Sequence, residues 1–262
     1  MSARRTRGAR LIDLSSGIAA LMEAKSAESL PDDPGRWQFE PKWDGFRCLA
    51  AKEGRAVELR GKSGTSLGRF FPEVVATLQD VPVERFVVDG ELVIELNGRM
   101  TFDGLQARLH PAPSRIRRLS KETPARLILF DMLVGPDGSP VEALPLTERR
   151  SALEAFGEMA AVAGKLIVTP CTRDLAQATQ WLNDFDRDGR DGVVAKRLDE
   201  KYLSGEGHPP SARESHHLGA ALILPGAIDA QVHSLSQRDQ EDFIWSTRGG
   251  RGRRHDNRRH AL

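Results

Sequence analysis

Apolar and polar positions along the chain divide it into short strands and helices with turn residues between them. "GFRCLAAKEGRAVELRG" (45–61) predicts two strands joined near Glu53-Gly54, a hairpin. "FPEVVATLQD" (71–80) predicts a helix with Pro72 near its start. "RFVVDGELVIEL" (85–96) is rich in β-branched residues and runs into Asn97-Gly98, a strong short hairpin signal. "FDGLQARL" (102–109) predicts a short helix. "ARLILFDML" (125–133) is almost continuously apolar, as in a strand buried on both faces, with Phe130 and Asp131 at its end. Helical patterns at 147–160 and 174–185 flank a strand at 165–170, and "DGVVAKRL" (191–198) is a last strand. Residues 15–24 predict a short helix before the turn-rich "SLPDDPG" (29–35). Hairpins interleaved with helices favour an α+β fold with much antiparallel pairing over a doubly wound parallel sheet.

Composition narrows the function classes. The 262 residues allow one sizeable domain, or one with a small appendage. Hydrophobic content of 39% and charged content of 29% read as a globular chain. A net charge of +1 provides no chain-wide basic field, so any nucleic-acid contact must come from a local patch. Cys48 and Cys171 are far apart and lack metal-ligand spacing, which fits a reducing cytoplasm. The basic start is followed by an apolar stretch broken by Asp13 and two serines, unlike a secretory signal. The longest apolar stretch, 218–228, is too short and proline-broken to span a bilayer, so no membrane partner is expected.

Candidate chemistry begins at "EPKWDGFR" (40–47). Lys42 admits three readings: a surface charge before a turn, a phosphate anchor or a nucleophile. The last requires a neutral amine, favoured by positive neighbours such as Arg47 and Lys62 or by a divalent metal. Gly45 permits close approach of backbone to a ligand. Glu91 of "VVDGEL" is either a carboxylate for ribose or metal, or the wet face of a hairpin. Phe130 of "LILFDML" is either a base-stacking ring or core. Asp191 and Lys196 of "DGVVAKR" bracket an apolar strand, as a metal carboxylate and a phosphate cation or as routine edge charges. Glu91 and Asp191 together make a set suited to Mg²⁺ with substrate phosphates. "GKS" (61–63) is no phosphate-binding Walker loop, because position 56 is Ala56 and no helix clearly follows. The C-terminal histidines show no metal spacing.

In order, "EPKWDGFR", "LRGKSG", "VVDGEL", "LILFDML" and "DGVVAKR" resemble motifs I, Ia, III, IIIa and IV of covalent nucleotidyltransferases. More narrowly, they resemble ATP-dependent DNA ligases of the small bacterial LigC type. "GRFFPEV", "FDGLQARLHP" and "PLTERRSALEAF" are similar to segments of the same group. The resemblance covers roughly 25–206. It implies an adenylation domain of ATP-grasp-like type, two packed and mostly antiparallel sheets with flanking helices, preceded by an N-terminal extension (1–24). It further implies that Lys42 attacks the α-phosphate of ATP to form lysyl-AMP, with Mg²⁺ or Mn²⁺, in the first step of sealing nicked double-stranded DNA for repair or recombination. Glu40 would line the adenine site, Arg47 would hold ribose or phosphate, and Glu91 would bind ribose. Phe130 would stack on adenine, and Lys196 would contact phosphate. Lys62 would grip the nick phosphate, although Gly61 stands where the family has serine. Glu91 and Asp191 would hold the metal, aspartate replacing the usual glutamate.

Beyond "YLSGE" (202–206) the pattern departs from the family. No lysine follows Lys201, so the alternating lysines of motif V are absent, and six of the seven histidines lie beyond position 203. Residues 207–262 are expected to be a poorly ordered tail without an OB-fold, consistent with a frameshift, a truncated gene or a split ligase whose OB-fold is a separate polypeptide. Feeble nick sealing follows from that expectation. The alternatives are an RNA ligase or capping nucleotidyltransferase, and a non-catalytic nucleic-acid- or partner-binding remnant. An NAD-dependent ligase is disfavoured by the short stretch before Lys42.

Overall fold

A computed structural model describes residues 21–31, 33–110, 112–160, 164–184 and 190–203, and the backbone of 221–225. Two sheets dominate it. The smaller has the order β1 (Lys25–Ser26), β10 (Ala221–Pro225), β9 (Arg190–Arg197), β2 (Trp37–Trp43). The larger runs β4 (Ala56–Gly61), β3 (Phe46–Glu53), β5 (Arg85–Leu96), β7 (Ala125–Val134), β8 (Leu166–Val168), with β6 (Arg99–Met100) folded back on β5. Pairing is antiparallel except at β1–β10 and β7–β8, and helices flank the sheets. The α+β expectation is met.

Alternation explains the placement of β2. Trp37 and Phe39 enter a core with Val193 and Ala195 of β9 and Ala178 of α5 (Leu175–Asn183). Period two then turns Gln38, Glu40 and Lys42 to the opposite face. Pro41 interrupts the pattern and lacks a ladder donor, but β2 lies at the edge of its sheet, where a proline is tolerated.

On the larger sheet, Cys48, Ala50, Phe86, Val88, Leu127 and Leu129 sink into the main core. That core is roofed by α1 (Pro72–Asp80), α3 (Pro113–Glu122) and α4 (Leu146–Ala160). Phe86 meets Phe156 of α4 with ring centroids 4.6 Å apart, and burying each such ring contributes about 1.5–3 kcal/mol. The opposite face of the sheet carries Arg47, Asp89 and Glu91, which share one side by register.

Several expectations change. The apolar strand expected at 125–133 is observed at Ala125–Val134, so Phe130 and Asp131 lie within it rather than at its end, and Met132, Leu133 and Val134 beyond them are buried. Helix α3 escaped the pattern since only Ile116 of its ten residues is buried. The expected helix at 15–24 lies partly outside the described residues, and 21–24 form no regular element. Within the segment expected to be poorly ordered, 221–225 pair with β9 as β10. The tripeptide Leu222-Ile223-Leu224 supplies the strand-forming residues for it. The rest of 207–262 lies outside the described residues.

Candidate active site

The two sheets are joined by the shortest of links. Lys42 and Trp43 end β2 on the smaller sheet, Asp44 and Gly45 turn, and Phe46 opens β3 on the larger. Gly45 has no alternative at that turn. A Cβ there would lie 2.2 Å from the Leu92 carbonyl oxygen and 2.8 Å from Glu91 Cγ. The "WDGF" stretch therefore presses the end of the Lys42 strand onto the Glu91 strand.

Two β-bulges aim side chains into the space between the sheets. Lys42 pairs with Gly192 but Trp43 with Arg190, so Asp191 is the extra residue. Asp89 pairs with Asp131 but Gly90 with Leu129, which makes Phe130 the extra residue of β7. Bulges re-aim side chains in this way. Lys42 Nζ donates to Asp191 Oδ2. Asp191 Oδ1 is buried without a hydrogen-bond partner.

Facing them, Glu91 lies opposite Arg47 in register. Burial pushes the Glu91 carboxyl up to about 8, against the pull of Arg47 and Lys42, while Asp89 and Asp191 add to the rise. Arg47 itself is gripped by Asp89, through Nε at 3.2 Å and Nη2 at 2.8 Å. Burial opposes the Arg47 charge, but Asp89 more than offsets it and holds the proton firmly. The Tyr202 hydroxyl donates to Asp89 Oδ2 at 2.7 Å and accepts from the Met22 amide at 3.0 Å. Burial, then Asp89, raises the Tyr202 pKa well above its ordinary value.

The remaining predicted residues form a second knot. Lys196 Nζ bridges Glu40 Oε2 at 2.8 Å and the Phe130 carbonyl at 2.7 Å, tying the sheets together. Gln38 donates to Glu40 at 2.8 Å, and Arg150 Nη1 stands 4.0 Å from it. The Phe130 ring sits between cations, 5.5 Å from the Arg47 guanidinium and 5.0 Å from Lys196 Nζ. Lys62 is apart, 62% exposed at the end of β4 and paired with Glu23 at 3.0 Å.

Seven of the eight predicted residues thus converge between the sheets, and Lys62 stands at the rim. Sequence reasoning missed Asp89, Tyr202, Arg149 and Arg150. Arg149 binds Asp131 through Nε at 2.8 Å and Nη2 at 3.1 Å beneath the site. Asp89 was in view inside "VVDGEL", but its partner lies 42 positions away and only register reveals it. Tyr202 had one signal, being the only tyrosine in the chain.

Comparison with known proteins gives this cleft a family. Residues 19–208 match the family described as ATP dependent DNA ligase domain. DNA ligase C1 of Mycolicibacterium smegmatis is 42% identical over 211 residues, 78% of this chain and 58% of that protein. DNA ligase C of Mycobacterium tuberculosis is 41% identical over 177 residues, 67% of this chain and 48% of that protein. The chain therefore spans about half the length of these relatives. The crystal structure of the ligase domain of M. tuberculosis LigD superposes with a TM-score of 0.57 at 25% identity, covering 78% of this chain and 58% of that one. The ATP-dependent DNA ligase of bacteriophage T7, in complex with ATP, shares the fold at a TM-score of 0.51 and 11% identity, covering 78% and 68%. On the family match and the 41–42% identities, the chain belongs to the ATP-dependent DNA ligase family.

Proposed function

We propose that Lys42 is an adenylation nucleophile and that the chain performs the first step of DNA nick sealing, in repair or recombination. The observation that carries this reading is the convergence on one amine: Lys42 meets Asp191 on its own sheet, with Glu91 and Arg47 facing it from the other. The Nζ lone pair attacks the α-phosphorus of ATP, a P–N bond forms, and the bond to the bridging oxygen breaks. Pyrophosphate leaves, and the amine proton is lost. Asp191 orients the amine through its hydrogen bond, and Arg47 meets negative charge on phosphate or ribose. Phe130 offers a face for adenine, and Glu40, an acceptor held by Gln38 and Lys196, lines the base site. Lys196 spends two of its three N–H donors on Glu40 and the Phe130 carbonyl, and the third is left for phosphate. Lys62 is placed at the rim for a nick phosphate.

The buried, unpartnered Asp191 Oδ1 and the desolvated Glu91 carboxyl fit a hard divalent cation, which takes one or two carboxylates and completes its shell with phosphate and water. Asp191 and Glu91 would hold Mg²⁺ or Mn²⁺, whose charge stabilises phosphoryl oxygens.

Full sealing by the 262-residue chain alone is expected to be feeble. Residues 202–262 offer no lysine to the α-phosphate, and phosphoryl transfer depends on cations around its oxygens. Intact-mass measurement after incubation with ATP and Mg²⁺ tests both statements. An AMP adduct should form on Lys42, vanish in Lys42→Ala, fail to form a GMP counterpart with GTP, and persist when nicked DNA is added. No adduct in the parent chain would refute the nucleophile, and discharge by nicked DNA with sealing would refute the impairment.

A further inference from the structure

Arg150 of α4 stands at the base end of the cleft but has no part in the chemistry proposed above. Although α4 packs on the core face of the larger sheet, this side chain reaches past the β8 edge, and it is 11% exposed. Nε donates to Glu154 Oε1 at 2.8 Å, and Nη2 donates to the Thr169 carbonyl at 2.9 Å. Thr169 is completely buried, and its amide donates to the Leu129 carbonyl of β7 at 2.8 Å. These bonds staple α4 to the larger sheet and fix the plane of the guanidinium.

A staple accounts for only part of the group. A guanidinium carries five N–H donors, two of them on Nη1. Nη1 is buried without a hydrogen-bond partner, a costly state for a charged donor. It stands 4.0 Å from Glu40 Oε1 on the smaller sheet, within ion-pair range. Glu40 is 2% exposed, and it accepts from Gln38 at Oε1 and from Lys196 at Oε2, both at 2.8 Å. Two cations, one from α4 and one from β9, therefore flank a single buried carboxylate.

The purine gives that arrangement a meaning. Adenine offers an amino donor at position 6, where guanine offers a carbonyl acceptor. An ionised carboxylate accepts from the first and repels the second. The groups around Glu40 are all donors, from Gln38, Lys196 and Arg150, and would favour the guanine oxygen if the carboxylate turned away. Selectivity thus depends on Glu40 staying charged and in place, and a buried charge needs its counter-ions.

We infer that Arg150 is a positioning residue that holds Glu40 as the base-facing acceptor and so sets selectivity for adenine over guanine nucleotides. This rests on the proposed adenylation function, in which Glu40 lines the base site. Arg150 acts through Glu40 on binding of the base, not on the rate of attack by Lys42.

Calorimetric titration of the full chain with α,β-methylene ATP and α,β-methylene GTP in Mg²⁺ reads base selectivity without transfer, since the carbon bridge denies the α-phosphorus its leaving oxygen. Arg150→Met should bind the adenine analogue about tenfold more weakly and narrow its preference over the guanine analogue by a similar factor. Arg150→Lys keeps the charge and should recover most of that preference. Glu154→Gln removes only the half-exposed outer partner of Arg150 and should stay within about threefold of the parent. The maximal rate of AMP adduct formation at saturating ATP, followed by intact mass, should be unchanged in Arg150→Met. If that variant melts below the assay temperature, Arg150→Gln, which retains a donor for the Thr169 carbonyl, takes its place with the same expectation. Parental affinity and preference in the neutral variants, no recovery with lysine, or an equal loss in Glu154→Gln would each overturn the inference. So would a lowered maximal rate with binding unchanged, or a parent that does not prefer the adenine analogue. A parent that prefers the adenine analogue yet forms no adduct counts against the adenylation function alone.

Discussion

Replacing Asp89 by Asn tests whether the Arg47–Asp89–Tyr202 chain holds the cleft together. Asp89 is completely buried, accepts two hydrogen bonds from Arg47 and takes a third from Tyr202. Asparagine keeps the shape but removes the charge, and one end of its amide becomes a donor facing donors. Breaking a buried ion pair from one side costs about 3–5 kcal/mol, and the surviving acceptor places this change near the lower figure. The contrast is with exposed pairs such as Lys62–Glu23, where truncation costs about 0–1 kcal/mol. Since 1 kcal/mol moves the Tm of a domain this size by about 2–4 °C, Asp89→Asn should melt roughly 6–12 °C below the parent. Arg47, no longer neutralised on its inner side, should also drift from Phe130, and adenylation at low ATP should slow by about tenfold or more. Tyr202→Phe alone should cost about 1–3 kcal/mol, because the Met22 amide loses its acceptor and Asp89 loses a donor. Combined, the two changes should fall short of additivity, since they act on one network. Melting of Asp89→Asn within 2 °C of the parent, or strict additivity with Tyr202→Phe, would refute the reasoning.

Two further outcomes follow from the geometry. Gly45→Ala places a Cβ 2.2 Å from the Leu92 carbonyl oxygen, so the link between the sheets must shift. The AMP adduct should be lost, while far-UV circular dichroism retains most of the secondary structure; an adduct at parental levels would count against this role for Gly45. Glu91 has a folded-state pKa raised from 4.5 to about 8. Its contribution to stability is therefore fully present below about 4.5 and is lost as pH rises through about 8. In metal-free buffer, Glu91→Gln should gain stability relative to the parent as pH rises from about 4.5 to about 8, with no further gain above that, read from urea midpoints. A pH-independent difference would show that the carboxyl is not desolvated in the folded chain.

Much of this architecture was legible before the coordinates. Asn97-Gly98 closed its hairpin as expected, with φ of 54° and 76°, and the Glu53-Gly54 joint did the same. These elements follow from local turn chemistry and β-branched runs. What escaped notice depends on partners distant in sequence. Helix α3 has only Ile116 and Leu119 as apolar residues besides its proline, set against a strongly basic remainder. β10 draws its order from pairing with β9. The residues that converge between the sheets stand in short motifs, but their wiring is not written there. That Phe130 and Asp191 are bulge residues, and that Asp89 anchors Arg47, are facts of register, which sequence spacing alone does not encode.

The two-residue link at Asp44 and Gly45 has a mechanical consequence. Two plates joined at one corner separate least at that corner and most at the far edges. Lys42 and Glu91 occupy the corner, whereas the Lys196 tether to Phe130 lies further along the same strands. Opening of the cleft around Glu40 and Phe130 therefore requires release of the Lys196 tether, while the spacing of Lys42 and Glu91 stays nearly constant. Such an arrangement admits and releases a ligand from one side, and the reacting amine keeps its place at the pivot.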